Sequence, residues 1–518
     1  MAKPFYLTTA IDYTNGAPHI GHAYEKVLGD VMARYHRLLG DDVFFLTGVD
    51  QHGQKVQQSA EQAGVSPQQF VDEITAKFVA LWAQLEVQYD GWAATTEPRH
   101  KESVQRILQR LFDEKQIYRD KQAGYYSVRQ EQFLTEKERG PDGEFGPEWG
   151  EVEHREEENY YFRLAEHKEW LLALLEARTD LVYPDFRRGE LRNAVEKLSG
   201  DLCISRPKAR LAWGIELPFD PDFVTYVWFD ALVNYLSFAP GGYDPRPGAD
   251  GAEFRRWWPA TIILGKDILI PAHGIYWMVM LHALGFRDDE MPRLIVHGWW
   301  NIGGAKMSKS LGNVIDPAVL AQKYGNEALR YYLVSEMATG KDADFSEERL
   351  VGCYNAELAN SIGNLLNRSL SMVHRYRDGR LRHAGGEGPL RGQASTAVAA
   401  YEAAFADAQV HAALGAVNEL VTACNTYVEI TAPWKLAKDP ERAGTLDHVL
   451  YALAESLRII ALLFGPVMPK ASRAIFQQLN WDGEISLAAA AQWGAIPDGH
   501  TVGKPVPIFP RIETEAGA

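Results

Sequence analysis

Between Phe5 and Leu85 the hydrophobic period switches repeatedly between strand and helix, and few architectures accept that order. Phe5 to Ala10 is a short apolar run of strand type, followed by a polar loop from Ile11 to Pro18 that contains Asn15-Gly16. From His19 to Leu39 the apolar residues Ile20, Ala23, Val27, Val31, Tyr35 and Leu38 recur at helical spacing. Val43 to Thr47 reads as a second strand. Ser66-Pro67 then supplies an N-cap with proline at the first helical position, and Phe70, Ile74, Phe78, Leu81 and Leu85 mark one apolar face. Strand, helix, strand, helix implies a parallel, doubly wound α/β sheet of Rossmann-like type.

The pattern changes near Ile117. Up to about Glu216 the chain offers short aromatic runs, Tyr125-Tyr126 and Tyr160-Tyr161-Phe162, around a Gly/Pro/Glu-rich stretch from Arg139 to Glu158. This reads as an irregular, partly stranded insertion. Strand-like segments resume at Val224 to Trp228, Thr261 to Leu264 and Leu294 to Val296, so the insertion splits one α/β domain. From about Asp316 to Asn480 the chain looks helical, with a Gly-rich break from Asp378 to Gly392. The expected division is 1–116 and 217–315 for the two halves of the sheet domain, 117–216 for the insertion, 316–350 for a linking segment and 351–518 for a helical domain with a C-terminal tail.

A length of 518 residues suits about three domains. No apolar run approaches the roughly 20 residues of a membrane span; Leu457 to Val467 is the greasiest stretch and is broken by Arg458, Gly465 and Pro466. Met1 to Thr9 resembles neither a signal peptide nor a transit segment, which makes a cytoplasmic location the default. The net charge of −16 argues against sequence-blind binding to long nucleic acid such as DNA. Local basic patches exist at Arg187, Arg188, Arg192 and Lys197, and at Arg368, Arg375, Arg377, Arg380 and Arg382. Cys203, Cys353 and Cys424 are far apart and form no Cys-x-x-Cys pair, so neither a disulfide framework nor a cysteine zinc knuckle is expected.

Two short motifs carry chemistry. His19-Ile20-Gly21-His22 falls where a loop enters a helix, and a helix N-terminus suits phosphate. Imidazoles three residues apart share one helical face and reach one phosphate group; Gly21 would let a base or ribose approach the backbone. Lys306-Met307-Ser308-Lys309-Ser310 follows Gly303-Gly304, which makes a cationic loop able to close on a triphosphate. Alone, the first reads equally as two surface histidines and the second as a solvated loop. Together, in this order and in one split sheet, they resemble the signature pair of class I aminoacyl-tRNA synthetases.

Further blocks resemble the methionyl-tRNA synthetases along nearly the whole chain: Ala10 to Gly16, Gly48 to Gly53, Tyr226 to Ala231, Val296 to Trp300, Asn355 to Arg368 and Ala432-Pro433-Trp434. The resemblance implies ATP-dependent activation of methionine to methionyl-adenylate and transfer to tRNA(Met). It implies that His19, His22, Lys306 and Lys309 act on the phosphates, with Gly21, Gly265, Asp267 and Trp300 completing the ATP site. Ile11, Tyr13, Trp228, Ala231, Leu232, Tyr235 and His273 would line a methionine pocket, Asp50 would pair with the ammonium, and Arg206 would hold Asp50 or the substrate. Glu25, one turn past His22, either faces the site or lies on the helix surface. Ile270-Pro271-Ala272 runs one residue longer before His273 than the family's usual pattern. An aromatic, shape-based pocket also suits a polarizable thioether. Asn364, Arg368, Pro433 and Trp434 would read the anticodon by stacking and base-edge contacts. Mg²⁺ would arrive with ATP. Many relatives carry zinc on insertion cysteines, but no cysteine lies between Ile117 and Leu202, so no metal is expected there. A monomer is expected. The rival readings are a small-molecule adenylyltransferase, a non-catalytic tRNA-binding relative, and a class I enzyme for another apolar amino acid or cysteine. The first has no need of Asn364, Arg368 and Trp434, the second no need to keep His19, His22, Lys306 and Lys309 together, and the small insertion and absent cysteine ligands speak against the third.

Overall fold

The computed structural model describes residues 2–513 apart from 128–131, 135–138, 141, 247, 250, 308–313 and 384–387. The first segment runs β1 (Pro4–Thr9), β2 (Asp12–Tyr13), α1 (Ile20–Leu39), β3 (Asp42–Asp50), α2 (Gln54–Ala63), α3 (Pro67–Gln84), β4 (Gly91–Ala94) and α4 (Pro98–Asp113). The six apolar positions that predicted α1 are all buried, and Ser66 caps α3 through its hydroxyl as its sequence implies. β2 and β4 both pair with β3, and β3 pairs with β1. On its other side β1 takes the strand Thr261–Gly265, which pairs with Arg293–His297 and then with Val182–Tyr183. Every pairing in this seven-stranded sheet is parallel. Strand order reverses at β1, and in such sheets ligands sit beyond the carboxyl ends of the strands at the reversal.

The range 117–216 is more regular than its composition suggests. Ile117–Ser127 and Val152–Phe162 form a full-length antiparallel pair within a four-stranded sheet. The Glu156-Glu157-Glu158 run, which resembles a loop, lies inside that pair; Lys121 stands opposite Glu158, and Arg119 also binds Glu158. This range also lends Val182–Tyr183 to the main sheet, so it is not a detached unit. Trp228 corrects a second expectation. The strand ends at Thr225, and Val227–Leu232 is a helix. A short apolar run between turns does not by itself distinguish a strand from a buried helix.

The two faces of the main sheet feed two cores. The α1 face is continuous with the helical domain, from Val27 and Trp82 through Tyr401 to Leu453. The other face joins α4, the insertion and Met278 to Leu281. Helix Ala443–Phe464 is buried on nearly every side, and its buried Glu455 and Arg458 pair with one another. The pattern-poor residues after Gly483 send Leu487, Ile496 and Val502 into the same core and add polar contacts: Glu455 accepts the N–H groups of Gly494, Ala495 and Ile496, while Arg458 donates to the carbonyl of Ala489. Tyr354 and Asn355 hold the tail at Pro510 and Ile512.

One fully buried guanidinium links the two halves. Arg330 donates to Asp30 of α1, to the carbonyl of Leu85 at the end of α3, and to the carbonyls of Pro466 and Val467. Asp30 also accepts from Arg34 and from the N–H of Gln88. Removing one partner of such a pair typically costs about 3–5 kcal/mol. Arg330→Ala is therefore expected to lower stability by about that amount, read as an earlier denaturant midpoint. A loss below about 1 kcal/mol, the range of an exposed pair, would contradict the assignment.

Candidate active site

His19 is the N-cap of α1, and the two histidines cap one another. The N–H of Gly21 donates to Nδ1 of His19 at 3.1 Å, and the N–H of His19 donates to Nδ1 of His22 at 3.1 Å. Both Nδ1 atoms therefore accept, and in each neutral ring the proton lies on Nε2. The rings lie 3.8 Å apart. A Cβ on Gly21 would meet the His19 ring at 2.9 Å, so the glycine makes room for the capping imidazole.

Beyond this terminus opens a cavity of about 590 Å³, in the range of ligand pockets. Lys26, Glu25 and Asp12 form a charged cluster at its base. The Lys26 ammonium is fully buried and donates to Asp12, to Glu25 and to the carbonyl of Ala10, which uses all three of its protons. Glu25 also pairs with Nε2 of His297 at 3.1 Å. Burial raises the Glu25 pKa, but Lys26 and His297 outweigh it and hold the group below its ordinary value. Burial pushes Asp12 up to about 7 against the pull of Lys26. Burial lowers the Lys26 pKa, yet its two carboxylate neighbours raise it overall.

One wall suits an amino acid. Asp50 ends β3 and accepts from the N–H of His52 at 3.3 Å. Burial, reinforced by the charge of Asp230, pushes its carboxyl well above the usual range. Around it the cavity is lined by Ile11, Tyr13, Trp228, Ala231, Leu232, Tyr235 and His273. His273 sits in the pocket despite the longer run before it, because the wide-turned segment Leu269–Trp277 accommodates that run. Its Nδ1 lies 2.9 Å from the carbonyl of Ile268 and must donate, so Nε2 accepts from the Tyr235 hydroxyl at 2.7 Å. Burial lowers its pKa to about 4, so the ring is neutral near pH 7. This pair satisfies itself and turns aromatic surface to the cavity.

Gly265, Asp267, Trp299 and Trp300 line the opposite side. Asp267 accepts from the indole N–H of Trp299 at 3.2 Å. Lys306 lies in a short strand, and Met307 beside it lines the cavity. Lys309 lies outside the described residues. Arg206 is not among the lining residues: it donates to the Ser205 carbonyl and stacks on Tyr226, which does line the cavity. The first basic patch is largely paired, through Arg187–Glu190, Arg188–Asp185 and Arg192–Glu196.

In the helical domain Asn364 and Arg368 share helix Asn364–Arg377. Arg368 binds Glu429 at 2.6 Å, four residues before Pro433. Pro433 is buried, whereas Trp434 is 37% exposed, an unusual exposure for an indole unless it meets a partner.

Sequence reading passed over Lys26, His52, His100, Asp230 and His297. His52, Asp230 and His297 stand inside blocks that carry the resemblance, yet nothing in a single sequence separates their roles. Lys26 and His100 are isolated residues on helices, and only burial reveals them.

The comparisons agree with this geometry. The family described as "tRNA synthetases class I (M)" matches residues 5–142 and 149–370. The "Anticodon binding domain of methionyl tRNA ligase" matches residues 382–518. The methionine–tRNA ligase of Bacillus subtilis is 41% identical over 99% of this chain and 78% of its own length. That of Thermosynechococcus vestitus is 40% identical over 99% of this chain and 98% of its own. Among solved structures, Mycobacterium tuberculosis methionyl-tRNA synthetase in complex with methionyl-adenylate superposes with a TM-score of 0.90, at 38% identity over 98% of this chain and all of that one. Its apo form gives 0.84, at 34% identity over 99% of each chain. Matched over nearly its whole length in sequence and in fold, the chain belongs to the methionyl-tRNA synthetase family.

Proposed function

We propose that this chain activates methionine with ATP to methionyl-adenylate and esterifies it onto the 3′-terminal adenosine of tRNA(Met). One observation carries the reading: a single cavity joins a helix terminus with paired imidazoles to a buried carboxylate and an aromatic wall. Methionyl-adenylate, the molecule bound by the tuberculosis relative, has the same two halves.

The roles follow from the chemistry of each group. The ionised carboxyl of Asp50 pairs with the methionine ammonium, and the thioether lies against Trp228, Ala231, Tyr235 and His273. With its polar atoms spent on Tyr235 and Ile268, His273 offers the thioether a neutral surface. The methionine carboxylate attacks the α-phosphorus of ATP, and pyrophosphate leaves. The Nε2–H edges of His19 and His22 donate to the phosphoryl oxygens as charge builds there. Lys306 and Lys309 neutralise the leaving phosphates when their loop closes. Asp267 accepts from the ribose, beside Gly265 and Trp300, and Arg206 acts through the Tyr226 ring. Mg²⁺ would enter with the nucleotide, held mainly by its phosphates. The tRNA 2′-hydroxyl then attacks the adenylate carbonyl, while Asn364, Arg368, Pro433 and Trp434 hold the anticodon.

Pyrophosphate exchange against all twenty amino acids tests the reading: methionine alone should support it strongly, and a panel without that preference would favour a small-molecule adenylyltransferase. His22→Ala and Lys309→Ala should each lower methionine-dependent exchange by about 10²–10³ with the fold intact, His22→Ala losing in addition the cap it gives the His19 N–H, and near-normal exchange would refute the assigned roles. Trp434→Ala should raise the KM for tRNA by about 5- to 150-fold, the equivalent of one stacked base, and leave exchange untouched. A normal KM for tRNA would remove Trp434 from the anticodon site.

A further inference from the structure

Asp230 is a fully buried carboxylate to which the mechanism so far gives no part. It lies on helix Val227–Leu232, between two imidazoles from different elements. Nδ1 of His52, just past β3, is 2.7 Å from one of its oxygens, and Nε2 of His100, on α4, is 2.8 Å from the other. The second nitrogen of His100 meets the Ser237 hydroxyl at 2.8 Å. All three side chains lie within a few per cent of complete burial. A buried carboxylate with two such partners is a rigid joint, because releasing either one leaves charge unpaired in a dry interior.

The joint connects the two features that select the substrate. On one side it holds the short helix whose Trp228, Ala231 and Leu232 line the pocket. On the other it holds His52, whose own N–H donates to Asp50. Apolar contacts alone discriminate poorly between similar side chains, so the distance from ammonium site to pocket wall matters for selection. We propose that Asp230 is a positioning residue for amino-acid capture: clamped between His52 and His100, it fixes the pocket-wall helix against the end of β3 and adds its charge where Asp50 receives the substrate ammonium. This rests on the reading of Asp50 as the ammonium partner.

The electrostatic consequence has a definite sign. Burial works against ionisation of Asp230, but the two imidazoles hold its pKa down to about 2, so it is an anion at working pH. That charge adds to burial in raising the Asp50 pKa. The other titratable groups facing Asp50 or its cavity are His52 beside it, Lys55 of α2, Tyr13 of β2, the Lys26, Glu25, Asp12 and His297 cluster at the base, His19, His22 and Tyr24 at the start of α1, and Asp267, Tyr226, Tyr235, His273 and Tyr276 along the walls. Below its raised pKa the empty site holds Asp50 neutral, and an arriving ammonium must displace the proton. The KM for methionine therefore falls as pH rises and levels off above that pKa. Replacing Asp230 by a neutral group lowers the Asp50 pKa and moves this limb to lower pH.

The test is the pH dependence of pyrophosphate exchange by the full chain, with KM measured separately for methionine and ATP. The wild-type KM for methionine should show the limb while that for ATP stays flat. Asp230→Asn should move the limb down by about one pH unit, an effect that loosened packing alone does not produce. A folded Asp230→Asn with the wild-type limb overturns the proposal. Should that variant fail to fold, calorimetry of methionine binding to the wild type, in buffers of different ionisation enthalpy, decides. Proton release that grows toward acid pH supports the proposal, and no release at any pH at which the protein stays folded overturns it. Asp50→Asn separates the two ideas: a methionine KM within twofold of wild type would sink the Asp50 reading itself.

Discussion

Helix α1 is held at its middle by a buried guanidinium and at its start by its own two histidines, and the active site is built along the length between them. Arg330 clamps Asp30 from the helical half of the molecule. One turn earlier Lys26 anchors the base of the cavity, and one turn before that His22 lines its mouth at the helix start. A helix spaces such groups at 1.5 Å per residue with little play. Arg330 also ties down the end of α3 and the turn at Pro466 and Val467, so the helical domain and the imidazole pair share one rigid element.

The interior around this helix holds more charge than stability alone favours. Lys26, Asp12, Glu25, Asp50, Asp230, Arg330 and Asp30 are all buried. Buried ions are weak sources of stability, because desolvation cancels most of their attraction. Their arrangement makes sense as preorganisation. The site must recognise a zwitterion and a polyanion side by side, and fixed charges in a dry setting act strongly without rearranging. Asp50 and Asp230 show how far this goes: burial and a neighbouring charge push one carboxyl well above the usual range, while two imidazoles hold the other below it. The difference comes from the imidazole partners of Asp230.

Some of this was legible in the linear chain. The period of Ile20 to Leu38 and the cap at Ser66 define helices through local geometry, and both stand in the structure. The His19–His22 pair was legible because its spacing is a local property of a helix start. Trp228 was misread as strand because its neighbours are apolar on every side. The regular pairing of the Glu156 to Glu158 run, inside a region that reads as irregular and only partly stranded, was not legible because its partner strand lies some thirty residues away, and pairing across that gap leaves no local mark.

Local order and family resemblance were therefore written in the residues themselves: a doubly wound sheet, a helix opening on two imidazoles, an insertion, and a helical second half. Folding in three dimensions chose the partners. It set His52 and His100 on Asp230 and Arg330 on Asp30, and kept Arg206 out of the cavity lining, behind Tyr226. Each of these pairings joins residues more than a hundred positions apart, apart from Arg206, whose strand pairs with the one that ends just before Tyr226. Burial then decides which of them carries charge, and burial is a property of the packed molecule that no local stretch of chain contains.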